Sequence, residues 1–433
     1  MKIEKFLEDR FGMFIHWGAY SVSGRSEWVR SHERLTIEAY QVYIDQFNPN
    51  KACLPEWAKL AKKAGMKYAV MTTKHHDGFC LFNSAYTDYS TYHTIGRDLV
   101  REFVDAFRAE GIQIGFYYSM IDWYHPDYPT YGDLQHPRRD CLKEKERESQ
   151  RNLATYIAYF HNQVDELLSN YGKIDIMWFD FSYNNSPESQ LPMMKGETWE
   201  ATKLVRMIRE RQPDCIFNNR LGSNGGMLGA EPACYAGDFT SPEQIIPPQG
   251  LLNVHGEVVP WEACLTMTNS WCYTQNFYSY KQTRTLIRAL IACVSKNGNL
   301  LLNVGPTAKG EIPAACVDTL RQMGDWLAAN GESIYGCKAA DFDKPEWGRY
   351  TQKGNKLYAH LLDRGVGPIP LIGLEGKIEL AKLLSDGVLM NLERPWNVTK
   401  FPNDAFLTLP WFDQLPDEAA TVIELTLKDK AKT

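Results

Sequence analysis

The sequence of 433 residues lacks several features, and each shortage removes a class of protein. No apolar run approaches the roughly 18 residues that a membrane span requires, so no membrane partner is expected. Positive charge is not in excess: the formal net charge is -6, which argues against a nucleic-acid partner. The ten cysteines form no C-x-x-C pair and no short-spaced framework. A chain of this length buries a core without covalent staples, so reduced, mostly buried thiols are expected. No internal repeat or low-complexity tract is found. The opening Met1-Lys2-Ile3-Glu4-Lys5-Phe6 has no apolar h-region and no small-residue cleavage site. This reads as a cytoplasmic protein, or as a secreted or periplasmic one if a leader has been removed. Homo-oligomerisation is left open by composition.

What is present is a rhythm of short apolar runs alternating with helical stripes over the first three quarters of the chain, the mark of βα units around a parallel sheet. Strands are expected at 12–17, 67–74, 112–119, 174–180, 215–219, 234–238, 262–267 and 299–304. Eight strands favour a closed, (β/α)8-like barrel over residues 1–338. It should be irregular, because 220–260 is rich in Gly, Pro and Asn and shows no helix before the seventh strand. Beyond about residue 339 the pattern turns to alternating runs at 357–362, 377–383, 388–392, 406–409 and 421–427, which predicts a small antiparallel β-sandwich over 339–433. The charged stretch 143–148 reads as a solvated helix entry.

In such barrels reactive groups stand at the C-terminal ends of strands. Those ends are polar here: His16-Trp17-Gly18, Lys74-His75-His76-Asp77-Gly78, Tyr117-Tyr118-Ser119 with Asp122-Trp123, Trp178-Phe179-Asp180, Asn218-Asn219-Arg220, and Asp238 leading to Glu243. Trp17, Trp28, Trp123, Trp178 and Trp271 accompany them. Aromatic faces stack on the C–H faces of sugars while His, Arg and Asp read hydroxyls, although any one of these residues would serve equally well in a core. Asp180 ends the apolar run 176–179 and would place a carboxylate at the barrel mouth. Glycoside cleavage needs two carboxyl groups, one as nucleophile or base and one as proton donor. Asp175, in the same strand, is expected to support a neighbouring backbone or side chain.

Three blocks carry the argument further: Phe11-Gly12-Met13-Phe14-Ile15-His16-Trp17-Gly18, Ser26-Glu27-Trp28, and Thr72-Thr73-Lys74-His75-His76-Asp77-Gly78-Phe79. With Gly96-Arg97-Asp98, Gly115-Phe116-Tyr117-Tyr118-Ser119, Trp178-Phe179-Asp180 and Asn299-Leu300-Leu301-Leu302-Asn303-Val304-Gly305-Pro306, they resemble the alpha-L-fucosidases of glycoside hydrolase family 29. The resemblance implies a retaining exo-glycosidase that removes terminal alpha-L-fucosyl residues, with a fucosylated glycan as substrate and no metal or organic cofactor. It carries Asp180 over as the nucleophile. The segment Gly237-Asp238-Phe239-Thr240-Ser241-Pro242-Glu243 matches the one that bears the acid/base in a large subgroup, which assigns Glu243, with Glu231, Glu257 and Glu262 as rivals. His16, Trp28, His75, His76, Tyr118, Arg220 and Trp271 match positions around the sugar. The sequence departs from the usual pattern at Phe181, where glycine is frequent, at Asn219 and at Cys272, which puts fine specificity in doubt. Two alternative readings stand beside this one. A metal-dependent barrel hydrolase using His16, His75, His76 and Asp180 lacks the H-x-H and H-E-x-x-H spacings. A non-catalytic fucose-binding protein would not need both Asp180 and Glu243.

Overall fold

The computed structural model describes residues 2–182, 194–222, 234–253, 255–276, 279–398, 400–411 and 414–428. Seven strands form one curled parallel sheet: β1 (Phe11–Ile15), β2 (Tyr68–Lys74), β3 (Gln113–Ser119), β4 (Ile176–Asp180), β5 (Ile216–Phe217), β6 (Trp261–Thr266) and β7 (Gly298–Val304), in the order β5-β4-β3-β2-β1-β7-β6. They are buried on both faces, which is why they read as continuous apolar runs. The two edges, β5 and β6, are joined through two isolated parallel bridges, Asn218 to Phe239 and Thr240 to Trp261.

The strand expected at 234–238 is therefore displaced, and its pairing is reduced to isolated bridges at Phe239, Thr240 and Glu243. The cause is local. Gly237 has φ +85°, and a Cβ there would lie 2.6 Å from the carbonyl carbon of Asn218. The chain thus turns tightly against the end of β5, a left-handed turn that favours glycine and a close approach that leaves no space for a Cβ. Asp238 is also held, by the Arg209 guanidinium at 2.7 and 2.8 Å and by the Phe217 amide at 2.9 Å.

Helices cover the outer face of the sheet. Leu99–Ala109 is typical: Asp98 caps it by accepting from the Arg101 amide at 2.8 Å, and Leu99, Val100, Phe103, Val104 and Phe107 are buried. Truncating a buried phenylalanine of this kind costs about 3–5 kcal/mol. The helix Ile3–Asp9 sits at the barrel floor, where Phe6 meets the rings of Phe239 and Tyr68 at 4.8 and 5.4 Å. Inside the barrel Phe6 joins Phe14, Val70, Tyr117, Trp178 and Leu301 in one cluster.

A five-stranded antiparallel sheet begins at Lys338–Ala339 and contains Gly348–Lys353, Lys356–Leu361, Ile378–Leu383 and Thr421–Leu427. A three-stranded sheet of Ile369–Leu371, Asn391–Leu392 and Ala405–Thr408 shares its core, with Leu357, Leu371, Leu407 and Leu425 fully or almost fully buried between them. Arg288, on a barrel helix, donates to the carbonyls of Leu362, Glu418 and Ala419 and ties the two units together. All ten cysteines are free thiols, eight of them buried. Among the described residues no helix is long and apolar enough to cross a membrane.

Candidate active site

The C-terminal ends of the strands converge on a cavity of about 220 Å³, below the roughly 300 Å³ at which typical ligand pockets begin and suited to one small ring. His16, Trp28, His75, His76, Asp180, Arg220, Glu243 and Trp271 line it, so eight of the nine residues expected from sequence are brought together. A larger cleft of about 590 Å³, between the helix Thr283–Val294 and the C-terminal sheet, contains no histidine and no strand-end residue of the barrel.

Asp180 ends β4 with its side chain 12% exposed. Three donors fix its carboxylate: Arg220 Nη1 at 2.7 Å and the Phe181 amide at 3.0 Å on Oδ1, and the Tyr117 hydroxyl at 2.7 Å on Oδ2. Burial pushes its pKa up, but the Arg220 guanidinium and the Tyr117 hydroxyl outweigh burial and hold it below the usual carboxylate value. Arg220 spans the mouth. Its Nη2 donates to Glu243 Oε2 at 2.9 Å, and its guanidinium lies 4.4 Å from the centre of the Trp178 ring. Glu243 is held by a parallel bridge of its backbone to Cys264 of β6, while its side chain remains 43% exposed at the opening.

The three histidines are uncharged. Burial pushes His16 down to about 4 and His76 to about 3, and burial with its two histidine neighbours holds His75 well below its usual value. Their tautomers follow from the partners. Asn303 Oδ1 can only accept, so His16 Nδ1, 2.7 Å away, carries the proton. The Ser119 hydroxyl gives its proton to the Ile121 carbonyl and therefore accepts from His76 Nδ1 at 2.7 Å. Both rings are left with a bare Nε2, and that of His76 is 4.0 Å from Asp180 Oδ2. Two bare acceptors so close do not bond to each other, but each can take a proton from a sugar hydroxyl.

Tyr118 requires a correction. Strand alternation sends it outward, where its hydroxyl donates to Gln163 Oε1 at 2.8 Å and its ring stacks on Phe160. Its neighbour Tyr117 faces inward, stacks at 5.7 Å on Trp178 and donates to Asp180. Glu27 also lines the cavity beside Trp28, a placement the sequence reading misses; its Oε2 accepts from the Cys272 amide at 3.2 Å. Phe14, Trp178 and Phe181 complete the wall. Among the rival acids, Glu262 lies inside the barrel below the pocket, bonded to the Tyr68 hydroxyl at 2.5 Å and to Trp178 Nε1 at 3.3 Å. Glu257 is exposed and accepts from Asn253 Nδ2 at 2.8 Å, and Glu231 lies outside the described residues. Asp175 accepts from the Ile114 amide at 3.0 Å, a backbone-supporting role. No group of three His, Cys, Asp or Glu side chains placed to hold a metal ion occurs among the described residues.

A parallel barrel whose mouth joins paired carboxylates to an aromatic, histidine-lined pocket defines the class of glycoside hydrolases. The alpha-L-fucosidase family model matches residues 2–332. Human tissue alpha-L-fucosidase is 29% identical, with 97% of this chain and 88% of that protein covered. The alpha-L-fucosidase of Branchiostoma floridae is 30% identical, over 82% of this chain and 78% of its own. Among solved structures, alpha-L-fucosidase isoenzyme 1 from Paenibacillus thiaminolyticus superposes with a TM-score of 0.93 at 57% identity, covering 99% of both chains. A family 29 alpha-L-fucosidase from Bacteroides thetaiotaomicron, solved as a trapped covalent intermediate with 2-fluoro-fucosyl fluoride, gives 0.80 at 27% identity over 98% and 95%. The chain belongs to the alpha-L-fucosidase family, and it is a glycoside hydrolase acting on fucosylated substrates.

Proposed function

We propose that this enzyme removes terminal alpha-L-fucosyl residues by double displacement, with Asp180 as nucleophile and Glu243 as acid/base. One observation carries the reading: a single guanidinium, that of Arg220, bonds to both carboxylates at the mouth of a pocket sized for one sugar ring. Retention asks for carboxyl groups about 5–5.5 Å apart, against about 6.5–9.5 Å for inversion. Two carboxylates within reach of one fork suit the shorter spacing.

In the first step Asp180 bonds to C1 of the sugar while the C1–O bond to the leaving group breaks and Glu243 gives its proton to the departing oxygen. In the second step Glu243 takes a proton from water, the water oxygen bonds to C1, and the Asp180 ester bond breaks. The contacts that keep Asp180 ionised serve both halves. Arg220 and Tyr117 hold the carboxylate ready to attack and later stabilise it as it leaves. His16, His75 and His76 orient the hydroxyls, and Trp271 and Trp28 offer apolar faces.

The test is labelling with a 2-fluoro-fucosyl fluoride followed by peptide mass mapping, together with hydrolysis of aryl L-fucoside, D-galactoside and L-rhamnoside by wild type and Asp180→Ala. The label should map to Asp180, the fucoside should be preferred, and Asp180→Ala should lose on the order of 10⁴-fold or more in kcat. A label on another residue, or fucoside turnover that survives Asp180→Ala, overturns the assignment.

A further inference from the structure

Phe181, immediately after Asp180, holds φ +78°, a left-handed conformation that is strained for an aromatic residue. Its amide donates to Asp180 Oδ1 at 3.0 Å. Glycine would take up this backbone and make the same bond without strain, so neither feature calls for a phenyl group. What the phenyl adds is bulk, in a cavity of only about 220 Å³ that it helps to line. The ring meets His76 edge-on at 4.8 Å and Trp28 at 5.4 Å. Both of those are backed by Trp123, at 5.5 and 5.4 Å, so the ring leans against a fixed aromatic wall.

We infer that Phe181 is a specificity-determining residue: its ring shuts the flank of the pocket beside Trp28 and His76 against any substituent on the bound sugar, so only an unsubstituted terminal fucosyl ring reaches Asp180. The inference rests on the catalytic reading proposed above. The leaving group departs on the side of Glu243, which Arg220 and Trp178 define. Phe181 sits instead with Trp28 and His76, and the flank it closes belongs to the sugar ring. His76 Nε2 is the free ring acceptor on that flank, and the phenyl ring, 4.8 Å from the imidazole centre, stands next to any group bound there.

The experiment uses 4-nitrophenyl alpha-L-fucoside and its 2-, 3- and 4-O-methyl ethers with wild type, Phe181→Gly and Phe181→Ala. The readout is kcat/KM on each ether divided by kcat/KM of the same variant on the parent, which cancels any general loss of activity. Both variants are expected to raise this ratio for at least one ether by about tenfold or more over wild type, the scale on which a pocket discriminates small groups. Phe181→Gly should also melt above Phe181→Ala, because alanine keeps a Cβ in the left-handed conformation. Wild-type ratios in both variants overturn the inference and leave the ring as wall packing. Should Phe181→Gly fail to fold, Phe181→Leu is read by the same ratio. Loss of parent turnover in Asp180→Ala tests the catalytic reading separately, so the two failures are distinguishable.

Discussion

Arg220 and Asp180 form an ion pair of 2.7 Å with side chains only 5% and 12% exposed. Burial lowers the pKa of Arg220, but Asp180 and Glu243 overcome it and leave the guanidinium above its ordinary value. Asp180 is held below its own, so the two shifts agree in sense. In Arg220→Met the carboxylate would lose its strongest attractive partner while burial remained. The acid limb of kcat/KM should therefore move to higher pH, as measured on an aryl fucoside. Breaking a buried pair by removing one partner costs about 3–5 kcal/mol, which urea unfolding at neutral pH should register. The sign with pH follows from linkage. A carboxyl with a depressed folded pKa contributes stability above its unfolded value near 3.9, and that contribution is lost as pH falls through the folded value. The gap between wild type and variant should accordingly narrow below about pH 4. A gap constant from pH 7 to 3 would mean that the pair does not hold Asp180 ionised.

Glu243 is tied to Arg220 yet 43% exposed, an arrangement that leaves it able to approach a leaving group at the opening. Removing a general acid typically costs about 10²–10⁴-fold. The loss should depend on the leaving group, because a nitrophenolate departs without a proton and an alkoxide does not. Glu243→Ala should lose more on an alkyl fucoside than on the nitrophenyl fucoside by about tenfold or more. Equal losses on both would move the acid role to another residue. Glu257→Ala, at an exposed position, should leave the two substrates in their wild-type ratio.

Tyr117 and Tyr118 are adjacent, both fully buried, and face opposite sides of the barrel wall. Tyr117→Phe removes a 2.7 Å bond to Asp180 and should lower kcat/KM on fucosides. A hydrogen bond to a charged group is worth about 1.5–3 kcal/mol, or roughly ten- to hundredfold. Tyr118→Phe removes a bond to Gln163 and should lower the melting temperature slightly without changing kcat or KM. The reverse result, with Tyr118→Phe the kinetic variant, would mean that Tyr118 and not Tyr117 faces the pocket.

That pair also marks the limit of what a sequence shows. The end of β4 is legible because one carboxylate closes a run of apolar residues, and the His75-His76 block because two polar rings end another. Which tyrosine faces the sugar is not, since a parallel strand covered on both sides carries no alternation of polarity. The closing strand is illegible for a different reason. Its pairing is reduced to isolated bridges at Phe239, Thr240 and Glu243, too broken to show any period. Glu27 belongs to one of the blocks that carry the resemblance, but nothing local shows that it lines the pocket. It is a loop residue whose place is fixed by the amide of Cys272, 245 positions away. The strand ends could be located from sequence, but contacts between distant loops needed the fold.

Glu262 is a carboxyl inside the barrel with no exposure, directly beneath Trp178. Burial raises its pKa to about 7, against the opposing pull of Tyr68 and Trp178. A carboxyl raised in the folded state binds its proton more tightly there than when unfolded. Its contribution to stability is then fully present below the unfolded value near 4.5 and lost as pH rises through about 7. The magnitude across that window is about 3 kcal/mol. Glutamine keeps the shape and an acceptor for Tyr68 or Trp178 but does not ionise. Relative to wild type, Glu262→Gln should therefore gain stability progressively between about pH 5 and 8, by an amount approaching this magnitude, as read from denaturant midpoints at each pH. Its dependence on leaving group should match wild type, because the residue lies below the pocket rather than at its opening. A stability difference that does not vary with pH would place Glu262 in the same ionisation state throughout the range, and the barrel interior would then be far more polar than its aromatic lining implies.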